Sequence, residues 1–270
     1  MYYIIGYENV LEFINKTIGL RGTSFNYYNE FFIKYSVFDR IPDSDIPLIT
    51  SYEGALPYCY DHLLTLKDKY TNNSAKINSM IVNNVFYEWF YTLSKYDKIY
   101  ELINRIIKIV IINKLSSYTN GTTQKTIGLA SMDFKDEFDC QDFIELVFHQ
   151  LTHMVLFIDD IANIHMNEDT KGIHVEVDGV KSVFGNNMFP IYLLFHSYIV
   201  GVEILSFRAQ LFGLNSSAKY HGSTDRIVRL CKKMSSVIEE NINMFSGRSR
   251  EIFKESLHLL NVFEHYEEIK

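Results

Sequence analysis

The sequence predicts a mainly α-helical fold with one small β-hairpin. Apolar residues recur every three or four positions through two long stretches, residues 143–160 and 191–208, and this spacing is typical of buried helices. Residues 106–112 consist almost entirely of isoleucine and valine, which predicts a buried strand, with an extension of the preceding helix as the alternative. Residues 126–132 are predicted to form a second short strand. The Asn120–Gly121 pair between them is a strong turn signal, which predicts a hairpin directly before the first long helix.

The first hundred residues predict a series of amphipathic helices. Three prolines between residues 39 and 57 make that stretch an irregular connection. Helical spacing occurs at residues 8–18, 25–38, 58–70 and 77–104, with a break expected near residues 94–97.

The remainder of the chain continues the helical pattern after a polar connection. Residues 161–187 are polar and contain one predicted exposed strand, residues 173–178, before Pro190 opens the second long helix. A helical pair closes the chain at residues 224–245 and 249–266. We therefore predict an N-terminal helical region, residues 1–104, and a second region, residues 105–270, as two parts that could also form one continuous domain.

Composition and charge exclude several classes of protein. The 270 residues are 47% apolar, enough for a large core, and the net charge of −7 argues against a nucleic-acid-binding protein. No uninterrupted apolar run is long enough to span a membrane. The three cysteines are widely separated and the N-terminal segment lacks the pattern of a signal peptide, so the prediction is a cytoplasmic protein with reduced thiols.

Three polar side chains form a stripe along the first long helix. Glu145, His149 and His153 are four residues apart, so they lie one above the other on a helix. An acid and two histidines in so apolar a helix need partners, and a metal ion would satisfy both histidines while Glu145 oriented a ligand. Such pairs occur in metallopeptidases with a His-Glu-x-x-His motif, but here the second position is Gln150.

The second long helix carries one histidine. His196 has Tyr192 one turn before it and Glu203 two turns after it on the same side. A single histidine in an apolar helix is more often a core residue, but a histidine on each of two core helices favours a metal site between them, in a local arrangement like that of zinc peptidases. The predicted ligands are His149, His153 and His196, or two of these with Glu145 or Glu203.

Three readings of this constellation are open. A zinc hydrolase needs a proton acceptor beside the metal-bound water, and Gln150 cannot accept a proton. An iron(II) oxygenase needs no such base; it needs ligands that leave coordination positions open. The third reading is a helical interaction protein whose histidines are core residues. Gln150 and Glu145 are the candidate catalytic residues beside the metal.

The motifs resemble a family of bacterial enzymes. The run Glu145-x-x-x-His149-x-x-x-His153, which follows a predicted hairpin, and the His196–Ser197 step some forty residues later resemble the α-ketoglutarate-dependent HExxH-type peptide β-hydroxylases. These enzymes act in the biosynthesis of ribosomally made, modified peptides. The resemblance covers roughly residues 105–212, and Gln150 departs from the family's usual glutamate.

The resemblance implies an Fe(II) site at His149, His153 and His196, with α-ketoglutarate as cosubstrate and a peptide as substrate. The implied reaction is hydroxylation of a peptide side chain. Because α-ketoglutarate is a dianion, its distal carboxylate needs a cationic or hydroxyl partner, for which Arg208, Lys181 and Tyr192 are the candidates. The alternative is a zinc-peptidase-like hydrolase, or an inactive metal-binding or peptide-binding protein.

Overall fold

The chain forms two compact units. The first unit comprises Met1–Phe13 and Asp159–Lys270, and the second comprises Ile14–Ile158. Residues 104 and 105, where the sequence predicts a division, both belong to the second unit. A computed structural model of the chain is mainly helical with small sheets, and it describes residues 1–18, 25–71, 73–115, 121–180 and 187–265.

The regular elements within the described residues are as follows. The α-helices are α1 (Tyr2–Ile5), α2 (Tyr7–Ile18), α3 (Phe25–Tyr35), α4 (Tyr52–Ala55), α5 (Tyr60–Leu64), α6 (Ala75–Val82), α7 (Val85–Tyr91), α8 (Asp97–Ile106), α9 (Cys140–Asn163), α10 (Glu168–Lys171), α11 (Ile191–Leu211), α12 (Thr224–Glu240) and α13 (Gly247–Glu264). The strands are β1 (Leu48–Thr50), β2 (Tyr70–Thr71), β3 (Ile109–Ile112), β4 (Lys114–Leu115), β5 (Leu129–Met132), β6 (His174–Glu176), β7 (Met188–Pro190), β8 (Ser217–Ala218) and β9 (Gly222–Ser223).

The second unit is built around a parallel sheet with the strand order β1-β3-β5. Each apolar segment predicted as a strand contains a shorter one, β3 and β5, whereas Ile106 ends α8 and Thr126 lies in a 3₁₀ turn. The two strands do not form a hairpin, because they pair in parallel with Ile109 opposite Leu129. The connection from residue 113 to residue 128 is long enough to return to the start of the sheet, as a parallel pair requires. Every residue of β3 is buried, which fits a central parallel strand covered on both faces. Among the described residues, antiparallel strand pairs occur instead at β2–β4, β6–β7 and β8–β9.

The helical stretch predicted over residues 77–104 is broken twice. The expected break is confirmed, because α7 passes into a 3₁₀ turn at Thr92–Lys95 before α8 begins. An earlier break separates α6 from α7 at Asn84, which has a φ of 58° in the left-handed region. Asparagine tolerates that conformation better than most residues, so the chain changes direction there without a glycine.

The first unit is centred on α11, which packs against α1, α12 and α13. Pro190 precedes the helix as predicted. By length and composition, α11 is the one helix among the described residues that could cross a membrane, but 78% of its most apolar window is buried inside the protein. The buried core helix of a soluble protein passes the same test, so this helix is weak evidence for a membrane span.

Candidate metal centre

Helix α9 presents the predicted stripe of polar side chains. Asp139 caps its first turn, with its carboxylate accepting hydrogen bonds from the backbone N–H groups of Gln141 (2.9 Å) and Asp142 (3.3 Å). The aliphatic and aromatic residues of the helix are buried almost without exception, whereas His149 and His153 are half-buried. Along this stripe, the two histidines are therefore the side chains that are partly exposed to solvent.

The two imidazoles lie close enough to share a ligand. Their ring centroids are 4.9 Å apart and the ring planes are inclined by 58°. Imidazole nitrogens bound at about 2.0–2.1 Å to one ion at a tetrahedral or octahedral angle would place the ring centroids about 5 Å apart. The centroid separation of the pair is therefore compatible with two neighbouring positions around one transition-metal ion.

Partial loss of hydration favours the neutral form of His153. Loss of hydration lowers the pKa of this imidazole to about 4. The ring of Phe157 stacks against it with a centroid separation of 6.2 Å, one helical turn further on. A neutral imidazole is the form that donates a lone pair to a metal, so His153 is competent as a ligand throughout the neutral range.

Glu145 occupies the position one turn before His149. Its side chain is completely buried, and its carboxylate accepts a hydrogen bond of 2.8 Å from the side-chain amide of Gln141. A buried acid held by a neighbouring amide is suited to orienting an adjacent group.

Gln150 is the least satisfied polar group of the helix. Its side chain is fully buried, and neither its amide oxygen nor its amide nitrogen has a hydrogen-bond partner within the part of the chain that the structure describes. Leaving such a group unpaired costs about 1–3 kcal/mol. The residue can donate and accept hydrogen bonds but cannot act as a general base.

His196 belongs to the first unit and is buried in the middle of α11. Within this unit its aromatic neighbours include Tyr192, Phe195 and His165, with ring centroids at 4.4 Å, 6.3 Å and 6.4 Å respectively. The candidate ligands thus fall on two units, with His149 and His153 in the second and His196 in the first. The three-histidine centre remains a prediction from the sequence.

The hydroxyl of Tyr192 is engaged within the first unit. It donates to Asp160 at 3.0 Å, and the same carboxylate accepts from Lys171 at 2.9 Å and from the backbone N–H of His165 at 2.6 Å. Burial, together with the charge of Asp160, raises the pKa of Tyr192 far above its usual range. The phenol therefore stays protonated, and its proton is committed to Asp160 rather than to a cosubstrate.

Arg208 also has structural partners. Its guanidinium is fully buried and donates to the backbone carbonyl of Gly222 at 2.9 Å, with longer contacts to Ser216 and Thr224. These bonds anchor the β8–β9 hairpin to α11, and they do not favour the predicted role in binding α-ketoglutarate. Lys181, the other predicted cation, lies outside the described residues.

Glu203, the alternative ligand on α11, is used by the first helix. Its buried carboxylate accepts hydrogen bonds from the backbone N–H groups of Tyr3 (3.1 Å) and Ile4 (3.0 Å) and pairs with the α-ammonium group of Met1. The acid therefore caps the N-terminus of α1.

The structure reveals a buried charged cluster that the sequence analysis did not single out. The Asp159 carboxylate lies 2.5 Å from Nε2 of His165 and accepts two hydrogen bonds of 3.2 Å from Arg248. Asn163 adds a further bond of 2.9 Å. The pairing joins the end of α9 to the start of α13, and a histidine in a polar segment is too weak a signal to predict it.

No three His, Cys, Asp or Glu side chains form a group that could hold a metal ion among the described residues. The two-histidine pair on α9 is therefore the element of the predicted centre that the structure brings together. Comparison of the sequence with known protein families and with characterised proteins gave no match.

Proposed function

We propose that this protein is a non-haem iron oxygenase that hydroxylates a side chain of a peptide with α-ketoglutarate as cosubstrate. The observation that carries the proposal is the His149–His153 pair, whose ring centroids are 4.9 Å apart on a largely buried helix. Further support comes from the motif resemblance over residues 105–212.

The donor set fits ferrous iron. Imidazole suits iron as well as zinc, and two protein nitrogens leave positions open for a cosubstrate and dioxygen. Iron held by His149 and His153 would supply the activation of dioxygen that these oxygenases use. The sequence also predicts His196 as a third ligand, and the His196→Ala variant tests that prediction separately.

The glutamine at position 150 favours an oxygenase over a peptidase. A peptidase of the His-Glu-x-x-His type relies on the glutamate as general base, a contribution of about 10²–10⁴-fold in rate. Gln150 lacks that capacity, and its buried amide offers only hydrogen bonds next to the histidine pair. An oxygenase has no need of a proton acceptor at this position.

The chain's own residues then have distinct tasks. His149 and His153 would hold the ion, with the neutral form of His153 favoured by partial loss of hydration. Glu145, hydrogen-bonded to Gln141, would fix a neighbouring ligand in orientation. Gln150 would hold a bound group by hydrogen bonds, and the surrounding apolar side chains of α9 would exclude bulk water.

The decisive experiment is metal analysis of protein purified without oxygen and then titrated with Fe(II). We expect about one iron per chain and succinate formation that requires both α-ketoglutarate and dioxygen. His149→Ala and His153→Ala should each weaken iron binding at least about tenfold, because second-sphere changes alone cost 10–100-fold. His258→Ala, which alters an exposed histidine on α13, is the matched control. His196→Ala tests the third ligand.

Two results would overturn the proposal. Zinc binding combined with peptide hydrolysis that His149→Ala abolishes would establish a hydrolase, and the absence of any bound metal would remove the centre. Gln150→Glu adds a further distinction, because it should create measurable hydrolysis only on a peptidase scaffold.

The cosubstrate partner is tested with two cation variants. Lys181→Ala should raise the α-ketoglutarate concentration needed for half-maximal succinate formation while leaving iron binding unchanged. Arg208→Ala should instead lower the thermal stability, because Arg208 anchors the hairpin. If neither variant changes the α-ketoglutarate concentration that is needed, the distal carboxylate of α-ketoglutarate binds to a different residue.

A further inference from the structure

A pocket of about 540 Å³ opens along the polar face of α8 in the second unit. Its wall runs along α8 through Asp97, Glu101 and Asn104 and ends at Lys108, two residues beyond the helix. Asp45 also lines the pocket, from the segment before β1. The volume falls within the range of about 300–1,000 Å³ typical of small-molecule sites.

Lys108 stands at the end of this wall and is unusually buried for a lysine, with only 5% of its surface exposed. Its backbone is fixed, because its N–H donates to Gly128 at 2.8 Å and its carbonyl accepts from Leu48 at 2.9 Å. Its ammonium nitrogen lies 3.2 Å from the carbonyl oxygen of Asn104 and 5.2 Å from the ring centroid of Phe32. The amine is thus positioned in the pocket by a rigid backbone.

Burial also changes the chemistry of this amine. Loss of hydration lowers the pKa of Lys108 to about 8. An ordinary lysine titrates at about 10.4, so at neutral pH Lys108 has a few hundred times the usual fraction of the neutral, nucleophilic form. Desolvated lysines of this kind form Schiff bases with carbonyl compounds.

The remaining lining defines the ligand that would fit. The side-chain oxygen of Asn104 is buried and has no hydrogen-bond partner among the described residues, so it is available to accept from a ligand donor. Asp45, Asp97 and Glu101 add acceptors and negative charge, with Glu101 paired to Arg105. Acceptors in excess favour hydroxyl donors, and the surplus of carboxylates disfavours an anionic ligand.

We propose that this pocket binds a small, neutral, hydroxylated aldehyde or ketone and captures its carbonyl carbon on Lys108 as an imine. The nitrogen lone pair forms the new C–N bond while the carbonyl π electrons move to oxygen, and one proton passes from the nitrogen to that oxygen, giving a carbinolamine. That oxygen takes up a proton and leaves as water, and the nitrogen loses its proton as the C=N bond forms. Amine and carbonyl thus give imine and water, with no oxidant or reductant consumed.

The test is reductive trapping on the intact protein. Glyceraldehyde and cyanoborohydride are added at pH 7, and the modified lysines are mapped and timed by peptide mass spectrometry. Lys108 should be modified at least about tenfold faster than Lys98, an exposed lysine on α8. Glycerol, which offers the hydroxyl groups without a carbonyl, should slow modification of Lys108 and leave Lys98 unaffected.

Three outcomes would overturn the proposal: modification of Lys108 no faster than of Lys98, no protection by glycerol, or equal modification of Lys108 by the anion glyoxylate. Lys108→Arg should remove the fast adduct and keep the positive charge, and Lys98→Arg should leave the adduct in place. If Lys108→Arg does not fold, the comparison of the two lysines in the unaltered protein decides the question. Iron binding at α9 is measured separately, so neither proposal depends on the other.

Discussion

At the scale of single residues, the polar groups buried in α9 and at its end differ in how well they are satisfied. Asp159 has hydrogen bonds to His165, Arg248 and Asn163, whereas the Gln150 amide has no partner among the described residues. A buried polar group stabilises a fold only when it is paired. We therefore expect substitution of Asp159 to lower the free energy of unfolding and substitution of Gln150 to raise it.

Replacement of Gln150 by methionine should stabilise the protein. Gln150→Met keeps the volume and removes an unpaired buried amide, so we expect the free energy of unfolding to rise by about 1–2 kcal/mol. Denaturant titration of the metal-free protein measures this change. Gln124→Met, at an exposed position, should stay within about 0.5 kcal/mol of the wild type. A destabilised Gln150→Met variant would show that the amide has a partner after all.

Asp159→Asn should destabilise the protein at neutral pH. Removing one member of a buried ion pair leaves the other charges uncompensated, which costs about 3 kcal/mol. Asp178→Asn, at an exposed carboxylate, is the control and should change stability by less than about 0.5 kcal/mol.

The cost of Asp159→Asn should also depend on pH. Burial alone would raise the pKa of Asp159, but the hydrogen bonds and charges of His165 and Arg248 outweigh it and hold the pKa below its usual value. A depressed folded-state pKa contributes stability above the unfolded pKa, and this contribution is lost as the pH falls through the folded value. The difference between wild type and variant should therefore shrink below about pH 4. A difference that stays constant down to pH 3 would contradict this account.

At the scale of elements, the close contact between α11 and α12 depends on a glycine. A methyl group on Gly201 would lie 2.5 Å from the sulfur of Cys231, which is fully buried. Glycine inside a helix costs about 1 kcal/mol relative to alanine, so its presence in α11 is explained by this close packing rather than by helix propensity.

Gly201→Ala should therefore destabilise the protein by about 1–2 kcal/mol, because overpacking exceeds the gain in helix propensity. In a Cys231→Ala background the same change should become neutral or stabilising, since the sulfur is gone. Thermal and denaturant unfolding of the four proteins in this double-mutant cycle measure the coupling. Gly247→Ala, where the added methyl group meets no atom within 4 Å, is the control. Additive effects of the two substitutions would argue against a direct contact.

At the scale of the whole molecule, the reactivity of the cysteines can be used to follow the unfolding of each unit separately. Cys59 is in the second unit and Cys231 in the first, and both are fully buried with the pKa raised to about 12 by burial. Cys140, at the start of α9, is only half-buried, although burial raises its pKa to about 11.

Thiol labelling of the native protein should therefore modify Cys140 first. Cys59 and Cys231 should react only as their units unfold, because neither thiol is exposed or ionised in the folded state. Labelling by a disulfide reagent at pH 8, resolved by mass spectrometry across a denaturant series, would give an unfolding curve for each unit. A Cys140→Ala variant should show almost no rapid labelling. Prompt reaction of Cys231 without denaturant would contradict its burial.

The sequence by itself determined the helical elements and the histidine pair. Helical periodicity located α9 and α11, the proline at residue 190 marked the start of α11, and the four-residue spacing placed His149 and His153 on one face. Each of these depends on local geometry that repeats every 3.6 residues, so a single chain segment contains all the information needed.

Only the tertiary structure decided the pairing of strands and the partners of buried charges. The parallel register of β3 and β5, the use of Arg208 by the β8–β9 hairpin and the Asp159–His165–Arg248 cluster all join residues far apart in sequence. Such contacts depend on loop paths and on which polar groups lose water together, neither of which leaves a periodic signal. The sequence could therefore place His149 beside His153, because they are one helical turn apart. Whether a third residue such as His196 joins them at a metal ion depends on contacts between distant segments, so it stays a hypothesis.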